Sequence, residues 1–535
     1  MIILLTFVVT NSIITLSIRI SGGVCHRIFL ILFVLGWFGS YCFLYFIPRI
    51  LTELFSGFCF FGFYPLVQTH ILFFGGFFMS PITITALILF AATYILMLAF
   101  QKIRPYVTVT SALIFVALGI IATANPTIFG ENFFTVANST YSYGLSEALG
   151  EIDWNVIMMI AGTMGTVYLF IESKMPQLMS DILISKMPNV KWTIVALSLF
   201  AGIVSAFVDN VATVLMIAPV ALAFCKKINI SPVPSIICIA VSSNLQGAAT
   251  LVGDTTSILL AKHANLDFSD FFVHDGHVGM FWVVQAGALV SGLIILLMFR
   301  NEKAKIEFNT RTVVEDKFPT FLLVGTVVTL IAVSFIPYKD NAQEGQFYKP
   351  DITNGIICIA FFLVGLLREL FVKKNKDIVK NSVKEIDWFT IVLLTGLFVV
   401  IGGIKSAGVI DVIGSAIASI GAGSPFLIYT IIVWMSVILS AFIDNIPYTA
   451  TMLSIVPVIA ESIGMEPTVL YYGLLCGATL GGNLTPIGAS ANIAGIGILR
   501  KEGYEVKSTT FMKYGVPFTM AAVITGYLLL WVIWK

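Results

Sequence analysis

Ser205-Ala206-Phe207-Val208-Asp209-Asn210 recurs as Ser440-Ala441-Phe442-Ile443-Asp444-Asn445, 440 − 205 = 235 residues later. Two further landmarks keep that spacing. Glu151-Ile152-Asp153-Trp154 returns as Glu385-Ile386-Asp387-Trp388 at an offset of 385 − 151 = 234, and Thr250, Gly253 and Ile258 match Thr485, Gly488 and Ile493 at 235. Three landmarks in one order at a nearly fixed offset identify a duplicated unit. The copies occupy 79–298 and 319–535, joined by a cytoplasmic linker at 299–318.

Composition says where such a unit must live. Of 535 residues, 58% are hydrophobic and 11% charged, with a mean hydropathy of +0.97. Soluble globular proteins carry about 25% charged residues. Stretches such as 278–298 and 514–533 reach the ~20 apolar residues that cross a bilayer, so the chain is expected to span the cell (inner or plasma) membrane many times. A net charge of +1 gives no sign of a nucleic-acid partner. Seven scattered cysteines show no spacing for disulfides or zinc. No phosphate-binding Walker sequence is present, so direct use of ATP is not indicated.

Residues 1–78 differ from the rest. They contain no Ala, Lys or Asp but 15 of the 44 Phe. They read either as an added hydrophobic membrane extension or as the product of a start codon assigned too early, with Met79 the initiator; the second reading is preferred.

Each copy reads as two apolar spans, a third opening at Glu-Ile-Asp-Trp, a long apolar stretch, an interrupted span and a closing span. The long stretches run from Trp192 to Cys225, 34 residues, and from Pro425 to Ala460, 36 residues. One straight helix of that length would be about 50 Å, too long for one crossing, while two crossings need ~40 residues. A re-entrant hairpin with its tip at Asp-Asn fits both. The next span is interrupted at Gly247–Gly253 and at Gly481–Gly488, the latter containing Pro486. Proline removes a backbone donor and glycine permits unwinding. Backbone left open at that depth must be buried in protein or line a wet cavity.

Basic residues test the orientation. Lys186, Lys191, Lys226 and Lys227 flank the first hairpin, whereas 406–424 and 461–467, flanking the second, hold no Lys or Arg. Cytoplasmic loops are enriched in Lys and Arg, so the two hairpins are expected to enter from opposite faces. Five crossings per copy, an odd number, also invert the second copy. Lys262, Lys405 and the pair Lys339/Lys349 are exceptions to this count. The expected fold is therefore an all-α polytopic membrane protein with two inverted repeats, each of five spans plus one re-entrant hairpin.

Inverted repeats with broken helices put a binding site near the midplane. The first hairpin supplies Asp209, Asn210 and Thr213 there, and the second Asp444, Asn445 and Thr449. The first broken span adds Thr250, Gly253, Asp254 and Thr255; the second adds Asn483, Thr485, Gly488, Ser490 and Asn492. Ionisable groups in the membrane interior mark ion pathways and proton relays. Sodium favours such oxygen donors, with Asp209, Asn210, Asp444 and Asn445 the first candidates. The plainer reading of each Asp is a helix cap, and of the Gly/Ala/Ser runs a helix-packing surface. Asp254 has no counterpart, since Ala489 stands in its place. Outside the membrane, His263, Asp267, Asp270, His274, Asp275 and His277 form a loop cluster that reads as a solvated loop before it reads as a metal site.

At the Asp-Asn motifs and at Gly481-Gly482-Asn483-Leu484-Thr485-Pro486-Ile487-Gly488-Ala489-Ser490-Ala491-Asn492 the chain resembles the ion-transporter superfamily. That group holds arsenite permeases, NhaD-type sodium–proton antiporters, the melanosomal P protein and sodium–dicarboxylate carriers. The motifs look most like the P protein and NhaD branch. The resemblance covers about 80–535 and implies a homodimer of scaffold and transport domains with elevator-type motion. Two departures stand out. Dicarboxylate carriers put Ser-Asn-Thr at the tips where this chain has Asp-Asn, and the family's Gly-Asp-Pro-Pro-Asn is here Gly253-Asp254-Thr255-Thr256-Ser257.

The expected function is secondary transport rather than enzymatic, with no cofactor beyond transported or coupling Na+ or H+. Sodium–proton antiport leads, through carboxylates that exchange a proton for sodium at Asp209 and Asp444. An arsenite or small-carboxylate permease is the alternative. An intramembrane aspartyl protease using Gly253-Asp254 with Asp209 is a remote third.

Overall fold

The computed structural model describes residues 79–535 except 131, 137–138, 305–310, 315, 339–346 and 422. Before residue 79 it describes only the backbone of Ile3–Thr10, Ile13–Ile20, Cys25–Leu30, Phe73–Phe74 and Phe77–Phe78. The chain separates into two units, Met1–Ile71 and Leu72–Lys535. In the first, three strands form an antiparallel meander with Ile3 opposite Ile20 and Ile14 opposite Leu30. Both readings of 1–78, membrane extension or early start, otherwise fall outside the described residues, as does Lys339.

The second unit is helical. Its first half contains α1 (Pro81–Ala99), α2 (Arg104–Ala124), α3 (Leu145–Gly150), α4 (Trp154–Glu172) and α5 (Met175–Ser185). Then come α6 (Val190–Ser205), α7 (Asn210–Lys227), α8 (Val233–Gly247), α9 (Thr255–His263) and α10 (Met280–Met298). The second half runs through α11 (Phe318–Ser334), α12 (Thr353–Phe371), α13 (Lys376–Lys384), α14 (Trp388–Ser406) and α15 (Val409–Ile420). It ends with α16 (Pro425–Ser440), α17 (Asn445–Ser462), α18 (Thr468–Gly481), α19 (Ser490–Lys501) and α20 (Ser508–Trp534). The fold is mostly rather than wholly α: short two-residue ribbons pair Thr135–Val136 with Ser139–Thr140 and Val273–His274 with His277–Val278. Among the described residues eight helices are long and apolar enough to cross a membrane, nine if α15 and α16 count as one bent span. Three shorter apolar helices, α6, α8 and α11, accompany them.

Local chemistry accounts for the boundaries. The repeated Glu-Ile-Asp-Trp motif is a helix start: Asp153 accepts the N–H of Val156 at 3.0 Å, and Asp387 that of Thr390 at 3.0 Å. An Asp side chain there satisfies a backbone donor that the helix itself cannot. The long apolar stretches break at 206–209 and 441–444, and the arms on either side pack on each other. The interrupted spans break between Gly247 and Thr255 and between Gly481 and Ser490, a 3-10 turn at Gly482–Leu484 intervening in the second.

Packing recurs when the halves are exchanged. α4 packs on α12 as α14 packs on α2; α8 packs on α6 as α18 packs on α16; α10 packs on α20. α8 and α18 are buried along almost their whole lengths, so the first arms of the broken helices lie inside the protein. The first break, 248–254, is buried throughout and its unwound backbone is shielded from lipid, whereas Ile487 in the second is half-exposed. α10 by contrast presents Leu289, Leu293 and Leu297, each more than half exposed, as a lipid-facing stripe.

Candidate functional site

Four helices begin where the breaks meet: α7 and α9 from the first half, α17 and α19 from the second. α7 packs on α19 and α9 on α17. Helix N-termini carry unpaired N–H groups and partial positive charge, and so favour anionic groups.

Glycine allows the approach. A Cβ on Gly253 would lie 2.9 Å from the Ser205 carbonyl oxygen and 3.0 Å from that of Ala206. On Gly488 it would lie 2.9 Å from the Ala441 carbonyl oxygen. Each broken span therefore touches the tip of its own helix–break–helix unit, and only glycine fits. The contact is closed by a threonine hydroxyl in each half, Thr250 donating to the Ala206 carbonyl and Thr485 to that of Ala441.

Asp254, at the N-terminal end of α9, is 3% exposed and lies at the centre. Its Oδ2 accepts from Asn210 Nδ2 at 3.4 Å, Asn445 Nδ2 at 3.3 Å and Thr256 Oγ1 at 3.2 Å. The first residues of α7 and α17 thus converge on one carboxylate oxygen. An amide chain continues from there. Asn210 also donates to Asn244 Oδ1 at 3.0 Å, and Asn244 donates to Asn483 Oδ1 at 2.6 Å and Asn492 Oδ1 at 3.1 Å. Asn483 and Asn492 are fixed in turn by the carbonyls of Val241, Gly482 and Thr485. Among the described residues no Lys, Arg or His pairs with Asp254.

Among the described residues the two tip aspartates have hydrogen-bond partners of their own, outside that amide chain. Asp209 caps α7, accepting from the N–H groups of Val211 at 3.0 Å and Ala212 at 3.2 Å, as the plainer reading had it. Asp444 is ion-paired: Arg104 Nη1 reaches its Oδ2 at 2.8 Å. Asp254 remains within electrostatic range of both. Thr213 turns back to the Val208 carbonyl at 3.4 Å, while the buried Thr449 hydroxyl has no hydrogen-bond partner among the described residues. Thr255 is buried at the start of α9, and Ser490 is exposed at the start of α19.

Asn244, Thr256, Thr479 and Arg104 were not singled out from the sequence. Thr256 bonds Thr479 across the halves at 3.2 Å. The sequence signal for Asn244 is an amide inside an apolar span; the duplicate has Thr479 at the matching position. Arg104 opens an apolar span, and nothing near it in sequence signals a partner 340 residues away. A cleft of about 620 Å³ lies elsewhere, lined in part by Glu151, Asp153, Lys262, His263, Lys405 and Asp411. Two of the basic exceptions, Lys262 and Lys405, share it. Among the described residues no three His, Cys, Asp or Glu side chains could together hold a metal ion, the 263–277 loop included.

Known proteins resemble this chain over most of its length. An uncharacterized transporter of Mycobacterium tuberculosis is 27% identical over 84% of this chain and 98% of its own. A 46 kDa membrane protein of Mycobacterium leprae is 28% identical over 85% and 98%. Human P protein is 26% identical over 71% of this chain and 54% of its own. In fold, the crystal structure of the Alcanivorax borkumensis YdaH transporter aligns with a TM-score of 0.51 and 14% identity over 80% of this chain and 97% of that one. The chain is an integral multi-pass protein of the cell membrane. The sequence profile of the citrate transporter family matches residues 144–477, well over half of the chain, and the protein, a secondary transporter rather than an enzyme, belongs to that family.

Proposed function

We propose that the chain carries out cation-coupled secondary transport, with sodium exchanged against protons as the leading case and Asp254 as the carboxylate that takes them in turn. One observation carries this: a buried carboxylate receives amide donors from both half-molecules and, among the described residues, has no basic partner. A buried, unpaired charge is costly, so such a group is stable only with a proton or a cation beside it. Amide and hydroxyl oxygens around the breaks are donors of the kind that suits sodium. The symmetric pair Asp209 and Asp444 is less suited, because one caps a helix and the other is held by Arg104.

Supporting the wider scheme, the recurrence of packing under exchange of halves fits two inverted repeats, the second entering from the opposite face. Elevator-type motion and a homodimer are proposed from the family resemblance.

The second reading is an anion carrier, for arsenite or a small carboxylate, in which Asp254 holds the coupling cation. The convergence of four helix N-termini favours it, as does the citrate transporter label of the family. Purified protein in proteoliposomes, screened with sodium, protons, chloride, arsenite and dicarboxylates, separates the two. Sodium-dependent proton flux is expected, reduced roughly 100-fold in Asp254→Asn, the scale of about 2.7 kcal/mol for lost bonds to a charged group. Undiminished flux in that variant would sink the proposal. Anion movement that persists with protons clamped would select the second reading.

A further inference from the structure

We propose that Arg104 is a built-in counter-cation that holds the second tip until a transported cation displaces it from Asp444. This rests on the reading of the centre as a cation site.

Arg104 opens α2 and is 8% exposed. Its Nε donates to the Met97 carbonyl at 3.1 Å, which fixes the guanidinium to the α1–α2 corner. Its Nη1 reaches across to Asp444. A second link lies alongside: the Tyr94 hydroxyl of α1 donates to the Pro447 carbonyl at 2.6 Å and also bonds Thr451 in α17. The α1–α2 corner thus grips the start of α17. The first tip has no such grip, since among the described residues Asp209 makes no ion pair.

Arg104 contributes one N–H to the carboxylate where a bidentate pair would use two. Asp444 Oδ1 is left buried with no hydrogen bond of ordinary geometry among the described residues, the Ile446 N–H lying near the carboxylate. A buried acceptor in that state is unsatisfied. It sits next to Asn445, whose amide donates to Asp254. A small cation entering between Asp254 and Asp444 would find Oδ1 open and Oδ2 taken.

Arginine cannot give up its proton in a protein, so the corner cannot release Asp444 by titration. Release needs a replacement positive charge, because parting the pair alone leaves two buried charges. Loading of the site and release of α17 from α1–α2 are then one event. An unloaded carrier stays latched and a loaded one is free to move.

The test uses the full-length protein in detergent and in proteoliposomes. A latch that occupies most of the unloaded population weakens apparent cation affinity by that occupancy, so Arg104→Gln is expected to lower half-saturating sodium about tenfold. Arg104→Lys should leave it nearly unchanged. Tyr94→Cys/Thr451→Cys, bridged by a short bifunctional thiol reagent, should cross-link in choline and lose cross-linking in sodium; adding Arg104→Gln should remove it in both. If Arg104→Gln does not fold, Arg104→Gln/Asp444→Asn replaces it, with low, sodium-insensitive cross-linking expected. Unchanged sodium affinity in Arg104→Gln, or sodium-responsive cross-linking at the wild-type level in either variant, overturns the proposal. The cross-link reads the latch without any transport, so absence of sodium-driven flux in the wild type would reject the function reading by itself.

Discussion

The two helix–break–helix tips are built alike and charged differently. Thr250 ties the first broken span to the Ala206 carbonyl just as Thr485 ties the second to Ala441. Ser257 bonds the Gly247 carbonyl at 3.1 Å, and Asn492 the matching Gly482 carbonyl at 3.0 Å. Asn210 and Asn445 reach the same oxygen of Asp254. The charges break the symmetry, for Asp254 faces Ala489 across the duplication, and Arg104 holds Asp444 while Asp209 caps its own helix. Symmetry thus supplies the frame, and departures from it set the charge at each tip.

The largest test of that contrast removes one tip carboxylate at a time. Asp444→Asn leaves Arg104 buried and unpaired, a loss of about 3–5 kcal/mol in unfolding titrations in detergent. Asp209→Asn keeps a capping oxygen and should cost only a few tenths of a kcal/mol, roughly the difference between good caps. Equal losses would show that the ion pair contributes nothing special to the second tip.

Next come the two amides on Asp254. Asn210→Ala and Asn445→Ala should each weaken half-saturating sodium by about fivefold to tenfold, the worth of one bond of 1–1.5 kcal/mol. The two factors should agree within about twofold. If only one variant responds, the centre belongs to one half of the molecule.

The smallest effects fall on the frame. Thr250→Val and Thr485→Val should each destabilise by about 1 kcal/mol, as buried hydrogen bonds in membrane proteins do. A difference of more than about 0.5 kcal/mol between them would mean that the symmetric contacts are not equivalent.

The break points were readable because their causes are local. Gly247, Gly253, Pro486 and Gly488 set where a helix cannot continue, and Asp153, Asp387 and Asp209 set where one starts. Asp209 and Asp254 were both visible as charges within apolar sequence. Their relative weight was not, because repetition favoured the pair Asp209/Asp444 and counted against the unmatched Asp254. Packing places three donors on Asp254, an arginine on Asp444 and only local N–H groups on Asp209.

The sequence alone thus determined a multi-pass membrane protein with interrupted helices and recurring Asp-Asn motifs, since periodicity, hydropathy and helix breaking act over a few residues. The tertiary structure alone decided which groups meet. Arg104 lies 340 residues from Asp444, and Asn244 lies 239 from Asn483. Such pairings depend on how α2, α8, α17 and α19 pack. A buried charge is defined by the neighbours that neutralise it, and for Asp444 that neighbour, Arg104, comes from the other half of the chain.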